Sequence, residues 1–320
     1  MKVSWSRVLC TLSILSMAFV LGCPGEHEDW TARNSNTTYN LAGVSVFDDK
    51  TSWIVGESGT ILRTSDGGDR WTVLPSGVSS SLYSVDFVTT DKGWVVGDMM
   101  TILHTTDGGD TWEIQKHDNK NAFLAVDFFD ELHGWAVGTF SEVFHTTDGG
   151  KNWTAHDIPD VGWFSAVTFV NPTHGWIGGV QGEIYHTADG GNTWEPMNVI
   201  GFSPVGISMR LTDLSFMNNT HGWASGDGGI IAVTHDAGRR WNFQPSDIDI
   251  ELTGIDFLDV NKGWTVGELG SLLHTVDGGA TWTKWKSPTT KTLWSLDFVT
   301  PSFGLAVGAE GTILRYRAKG

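Results

Sequence analysis

Residues 82–115 read as four short apolar-rich runs, LYSVDFV, GWVVGD, TILHTT and TWEIQ, separated by TTDKG, DMM and DGGD. Runs rich in Val, Ile, Phe, Tyr and Trp, punctuated by Gly, Asp and Thr, predict β-strands joined by tight turns. The pattern recurs. Tryptophans that follow a D-x-G turn stand at Trp71, Trp112, Trp153, Trp194, Trp241 and Trp282, at spacings of 41, 41, 41, 47 and 41 residues. A second column, Trp94, Trp135, Trp176, Trp223, Trp264 and Leu305, lies 23 residues further on, except across the one longer interval. Each of these is followed three residues later by glycine, from Gly97 to Gly308. Counting back from Trp71, Trp30, Trp53 and Gly56 fall in register, while the next outer-strand tryptophan would lie past residue 320. The first unit therefore begins with a strand that the last unit lacks.

Four strands per unit of about 41 residues, repeated radially and offset in this way, predict an all-β, seven-bladed β-propeller. The N-terminal strand closes the last blade, which leaves few exposed sheet edges. The 40 Gly and 17 Trp of the 320 residues fit many tight turns between strands carrying large flat side chains.

The string T-x-D-x-G-x-x-W occurs six times, with its aspartate at Asp66, Asp107, Asp148, Asp189, Asp236 and Asp277. Such an aspartate accepts backbone N–H bonds from the turn it begins, glycine permits the reversal, and Trp restarts the outer strand. Copies spread around a ring cannot converge on one substrate, so these are expected to be structural. The string resembles the Asp-box of bacterial neuraminidase-type repeats, where it is a folding motif away from the active site. Two carboxylates in DGGD fall short of the oxygen ligands that calcium requires.

Two other columns carry polar groups. Before the box threonine stand Arg63, His104, His145, His186, Val233, His274 and Arg315. Adjacent copies on the third strand lie more than about 10 Å apart for strands spaced about 4.8 Å, whereas zinc ligands sit about 2 Å from their ion. The histidines are expected to hydrogen-bond between blades. No metal or cofactor is expected. On the innermost strand, Ser45, Asp86, Asp127, Thr168, Ser215, Asp256 and Asp297 are all acceptors, suited to inter-blade pairing or to lining the axial channel.

The first residues have a different character. Lys2 and Arg7 precede an apolar run at 8–22 that ends in Val20-Leu21-Gly22-Cys23, similar to a bacterial lipobox. Residues 1–22 are thus expected to be a lipoprotein signal peptide, Cys23 the lipid attachment site, and 23–320 a single propeller. The protein would be exported and anchored by lipid to a bacterial membrane, on its periplasmic or extracellular side. A net charge of −17 without a basic cluster repels phosphate backbones and argues against nucleic acid.

Function is sought where the copies differ. The turns between second and third strands read GESGT, GDMMT, GTFSE, GVQGE, GDGGI, GELGS and GAEGT, so Met99, Met100 and Phe140 are anomalous. Trp163 stands in a column otherwise held by Asn40, Ser81, Ala122, Arg210, Glu251 and Thr292. The longer interval inserts six residues and adds Phe202. Met99, Met100, Phe140, Trp163 and Phe202 are therefore expected to form a partner-binding rim.

The unit V-D-F…GWAVG…G-T-I-L-x-T-x-DGG-x-TW, with the lipobox and seven blades, resembles the photosystem II stability and assembly factor family. That resemblance implies a monomeric, non-enzymatic, lipid-anchored scaffold that holds protein partners, membrane-protein subunits among them. Photosynthetic members are noted for an arginine-rich face, of which only Arg63 and Arg315 remain in the matching column. The competing readings are an extracytoplasmic polysaccharide or ligand binder and a glycoside hydrolase of the Asp-box type. Neuraminidase chemistry would need an arginine triad and a tyrosine nucleophile on six blades.

Overall fold

The computed structural model describes residues 29–118, 121–156, 158, 162–197 and 210–318. These form seven four-stranded antiparallel sheets, each a consecutive meander except the last. The first blade comprises Leu41–Val46, Ser52–Gly56, Thr60–Thr64 and Thr72–Leu74. The last comprises Leu293–Thr300, Phe303–Gly308 and Thr312–Arg317, completed on its outer edge by Asp29–Asn34. Trp30 pairs with Tyr316 and Asn34 with Thr312, so the ring closes with the expected strand. The signal segment, Cys23 and Phe202 lie outside the described residues.

The two tryptophan columns are the inter-blade core. Trp53, Trp94, Trp135, Trp176 and Trp223 are completely buried. Each lies flat on a phenylalanine of the next blade's innermost strand: Trp94 on Phe128 at 3.6 Å, Trp223 on Phe257 at 3.6 Å. The outer-strand tryptophan of that next blade then meets the same phenylalanine edge-on, as Trp153 meets Phe128 at 86°. Stacked and edge-to-face contacts together supply the large apolar burial that spacing alone had implied.

The Asp-box is a stitch at two levels. In the second blade Thr105 Oγ1 donates to Asp107 Oδ1 at 2.8 Å and accepts the Gly109 N–H at 2.9 Å. Asp107 Oδ1 accepts the Thr111 N–H at 2.9 Å and Oδ2 accepts its hydroxyl at 2.6 Å. These bonds, those to Thr111 foremost, hold the Asp107 carboxyl down at about 2. Between blades, Trp53 Nε1–H donates to Gly108 O at 2.8 Å and Trp94 Nε1–H to Gly149 O at 3.2 Å. The box thus receives its neighbour's buried indole.

The histidine column does something other than expected. His104, His145 and His274 stack on the cross-strand tryptophan of their own blade, at 4.8, 4.9 and 4.3 Å. Burial against that ring lowers the affinity of His104 and His145 for a proton, to about 4 for His145 with His156 nearby. The two arginines of the column do bond between blades. Arg63 Nη1 donates to Gly108 O at 3.3 Å, and Arg315 Nη1 to Gly67 O at 2.7 Å and Asp69 Oδ1 at 2.8 Å.

Candidate functional site: the rim of blades two to four

All seven blades share one rim construction. The N–H after the second-strand glycine donates to a carbonyl of the loop that enters the same blade: Glu57 to Asn40, Asp98 to Ser81, Thr139 to Ala122 and Val180 to Trp163, at 2.9–3.0 Å. The backbones approach so closely that a Cβ on Gly97 would lie 2.1 Å from Ser81 O. This places the Trp163 column and the second-to-third-strand turns on one face.

The tight turns on that face demand left-handed backbone. Most blades place glycine at the second left-handed position, as at Gly59, Gly229, Gly270 and Gly311. Blades two and three put side chains at both: Met99 and Met100 at φ 60° and 50°, Phe140 and Ser141 at 58° and 59°. A non-glycine residue there costs about 1 kcal/mol. Two consecutive left-handed residues also send their side chains in different directions. Met99 is 45% exposed, while Met100 is 4% exposed and packs with Trp94 and Phe123. Met100 therefore serves the core, and the expected rim loses it.

Phe140, 68% exposed, and Met99 line one shallow cavity of about 360 Å³ together with Asp98, Asn121 and Ala122. Trp163, 49% exposed, is fixed beside them through a bridge to Thr139. The rim is also charged in a way sequence spacing did not flag. Asp98 Oδ1 accepts the Tyr83 hydroxyl at 2.9 Å, and Glu142 Oε1 accepts Asn121 Nδ2–H at 2.8 Å. On the same face Asp227 meets Arg210 at 3.4 Å and Glu310 meets Lys291 at 2.6 Å, while Glu57, in the place of Asp98, accepts from the Asn40 backbone and side-chain N–H groups.

The axial channel is the other polar feature. It has a volume of about 360 Å³ and is lined by the innermost strands, including Asp86, Asp127, Asp213, Asp256 and Asp297. The expected pairing is present: Phe128 N–H donates to Asp86 Oδ2 at 2.6 Å, Phe169 to Asp127 at 2.8 Å, and Val46 to Asp297 at 2.6 Å. Asp213, two residues ahead of the acceptor column, takes the Ile255 N–H at 2.9 Å. Burial raises all of these carboxyls, Asp86 and Asp213 to about 7 and Asp297 to about 6. Each therefore bonds one neighbouring blade and faces the channel at once. Of the tryptophans outside the two columns, Trp285 packs edge-on against Trp264 at 5.3 Å and Trp294 lines the channel's other mouth. Among the described residues no three His, Cys, Asp or Glu side chains are placed to share a metal ion.

No match was found among curated proteins. Among solved structures, one described as "YCF48 bound to D1 peptide" is 24% identical, with a TM-score of 0.76 over 93% of this chain and 100% of that one. YCF48 from Cyanidioschyzon merolae is 22% identical, with a TM-score of 0.74 over 90% and 98%. The Xanthomonas campestris GH74 xyloglucanase is 16% identical with a TM-score of 0.69, and this chain spans only 54% of it. At these identities the likeness shows the fold. The family model described as Photosynthesis system II assembly factor YCF48 matches in overlapping stretches, at residues 24–120, 71–159, 112–199, 153–245 and 202–290. The chain belongs to that family.

Proposed function

We propose that this protein is a non-enzymatic scaffold whose rim at blades two to four holds protein partners, membrane-protein subunits among them. The observation that carries the reading is the exposure of Met99, Phe140 and Trp163 on one face of an acidic chain. Exposed apolar side chains grouped on one surface mark partner sites. Met99 and Phe140 begin the described turns of this face in which two consecutive non-glycine residues are left-handed, and such strain concentrates at functional sites. A solved YCF48 carrying a D1 peptide supports partner binding by a propeller of this family. In the same reading Cys23 carries the lipid after removal of residues 1–22, residues 23–320 form a single propeller, and the protein acts as a monomer outside the cytoplasm. A xyloglucanase-like activity is the weaker reading, because the likeness to the GH74 enzyme rests on 16% identity and shows the fold alone.

The test is a crosslinking pull-down from native membranes with wild type and a Met99→Gly/Phe140→Gly/Trp163→Ala variant, read by mass spectrometry. Recovery of membrane-complex subunits that the variant loses supports the scaffold. Recovery of no protein, together with hydrolysis or retention of glycans, would replace it.

A further inference from the structure

We infer that the occupant of the rim is an extended protein segment that combines a large apolar side chain with Lys or Arg. This rests on the partner-binding reading above and adds the chemistry of the partner. Two features coincide at blades two and three and nowhere else among the described turns. Side chains occupy both left-handed positions, Met100 and Ser141 standing where other turns have glycine, and Met99 and Phe140 are exposed over one cavity. The acids flanking that cavity, Asp98 and Glu142, are held by neutral donors, Tyr83 and Asn121. At blades five and seven rim acids instead meet cations of the same face: Arg210 lies between Asp227 and Glu251, and Lys291 meets Glu310, whereas Glu57 and Glu183 also have neutral donors.

A hydroxyl or amide bond leaves the negative charge of Asp98 and Glu142 in place, with carboxylate oxygens free to accept more donors. An apolar side chain seated between Met99 and Phe140 brings its chain neighbours within reach of both carboxylates. Electrostatic complementarity then selects for cations and against anions. The same logic disfavours the other occupants. A second copy of a chain with net charge −17 repels the rim, and so does an anionic lipid surface.

The experiment uses fluorescein-labelled short peptides of alternating Lys and Phe, with Glu/Phe and Lys/Ser versions as controls, titrated by anisotropy. The proteins are wild type, Met99→Gly/Phe140→Gly, and Asp98→Asn/Glu142→Gln. Glycine suits the left-handed backbone, and Asn and Gln still accept the Tyr83 and Asn121 bonds, so both variants keep the fold. The Lys/Phe peptide should bind wild type, and each double variant should weaken it by at least about tenfold, or about 1.4 kcal/mol. The Glu/Phe and Lys/Ser peptides should bind at least that much more weakly. Equal binding to all three proteins, equal binding of the controls, or no binding of Lys/Phe would overturn the inference. Peptide binding decides this point and the membrane pull-down decides the scaffold, so either can fail alone.

Discussion

Trp53 of the first blade lies flat on Phe87 of the second, ring centroids 3.5 Å apart and planes within 4°, while its indole N–H reaches Gly108 O in the same neighbour. One side chain thus joins the two conspicuous sequence features, the tryptophan column and the Asp-box. Phe87→Ala should cost about 3–5 kcal/mol, as expected for deleting a buried aromatic ring. Trp53→Phe should cost less, since part of the stack survives. Urea unfolding of both variants checks the order.

The closing seam is built differently. Leu305 and Val46 occupy the places held by Trp and Phe elsewhere, and the buried Arg315 takes over the bond to the Asp-box carbonyl Gly67 O. Arg315→Met should destabilise by about 1–3 kcal/mol, because it removes charge-assisted bonds and leaves a carbonyl unpaired. Hydrogen exchange should then quicken first at Thr312–Arg317 and Asp29–Asn34, the strands the seam depends on.

Within the Asp-box the threonine matters more than the aspartate that names it. Thr105 is 1% exposed and its oxygen takes the Gly109 N–H, whereas Asp107 sits at the surface. Thr105→Val should cost about 1–3 kcal/mol by orphaning a buried donor. Asp107→Asn, which keeps one acceptor, should cost less. Thermal melts of the pair discriminate the two.

Replacing the strained rim residues should stabilise. Phe140→Gly removes a left-handed non-glycine residue that makes little buried contact, and should raise stability by up to about 1 kcal/mol. Met100→Gly should instead destabilise, because the same relief is outweighed by loss of a side chain packed on Trp94 and Phe123. Met99→Gly should follow Phe140→Gly in sign, so opposite signs at Met99 and Met100 would confirm which methionine faces solvent.

The channel carboxyls give a pH dependence of unusual sign. Asp86 is raised to about 7, chiefly by burial, with Asp297 across the channel adding to the effect. A raised folded-state value means its contribution is fully present below the unfolded value of about 3.9. That contribution is lost as pH rises through about 7. Asp86→Asn retains an acceptor for Phe128 N–H without the charge. Its Tm should match wild type at acidic pH and exceed it increasingly towards pH 8, a difference that melts across the range measure directly.

The ring was legible because radial repetition repeats its packing: away from the closing seam the tryptophans of the two columns meet the same kind of neighbour, so period and register sufficed. The rim was legible only in part. That the turns at Met99 and Phe140 depart from the others could be read, but not that adjacent left-handed residues point opposite ways and send Met100 inward. Histidines opposite tryptophan looked like hydrogen-bonding groups, because cross-strand stacking leaves no trace in spacing. Asp98 and Glu142 passed unnoticed, since their state depends on whether a neighbouring loop supplies a cation or an amide. Asp213 was missed because it reaches the channel two positions off the repeating column.

The most direct measurement places a photo-crosslinking residue at position 140 in one protein and at position 132 in another. Phe140 and Leu132 are both exposed on the third blade, on opposite faces. In native membranes, position 140 should capture membrane-protein subunits and position 132 should not. Capture at 132 equal to or greater than that at 140 would contradict the rim as the working face of the scaffold.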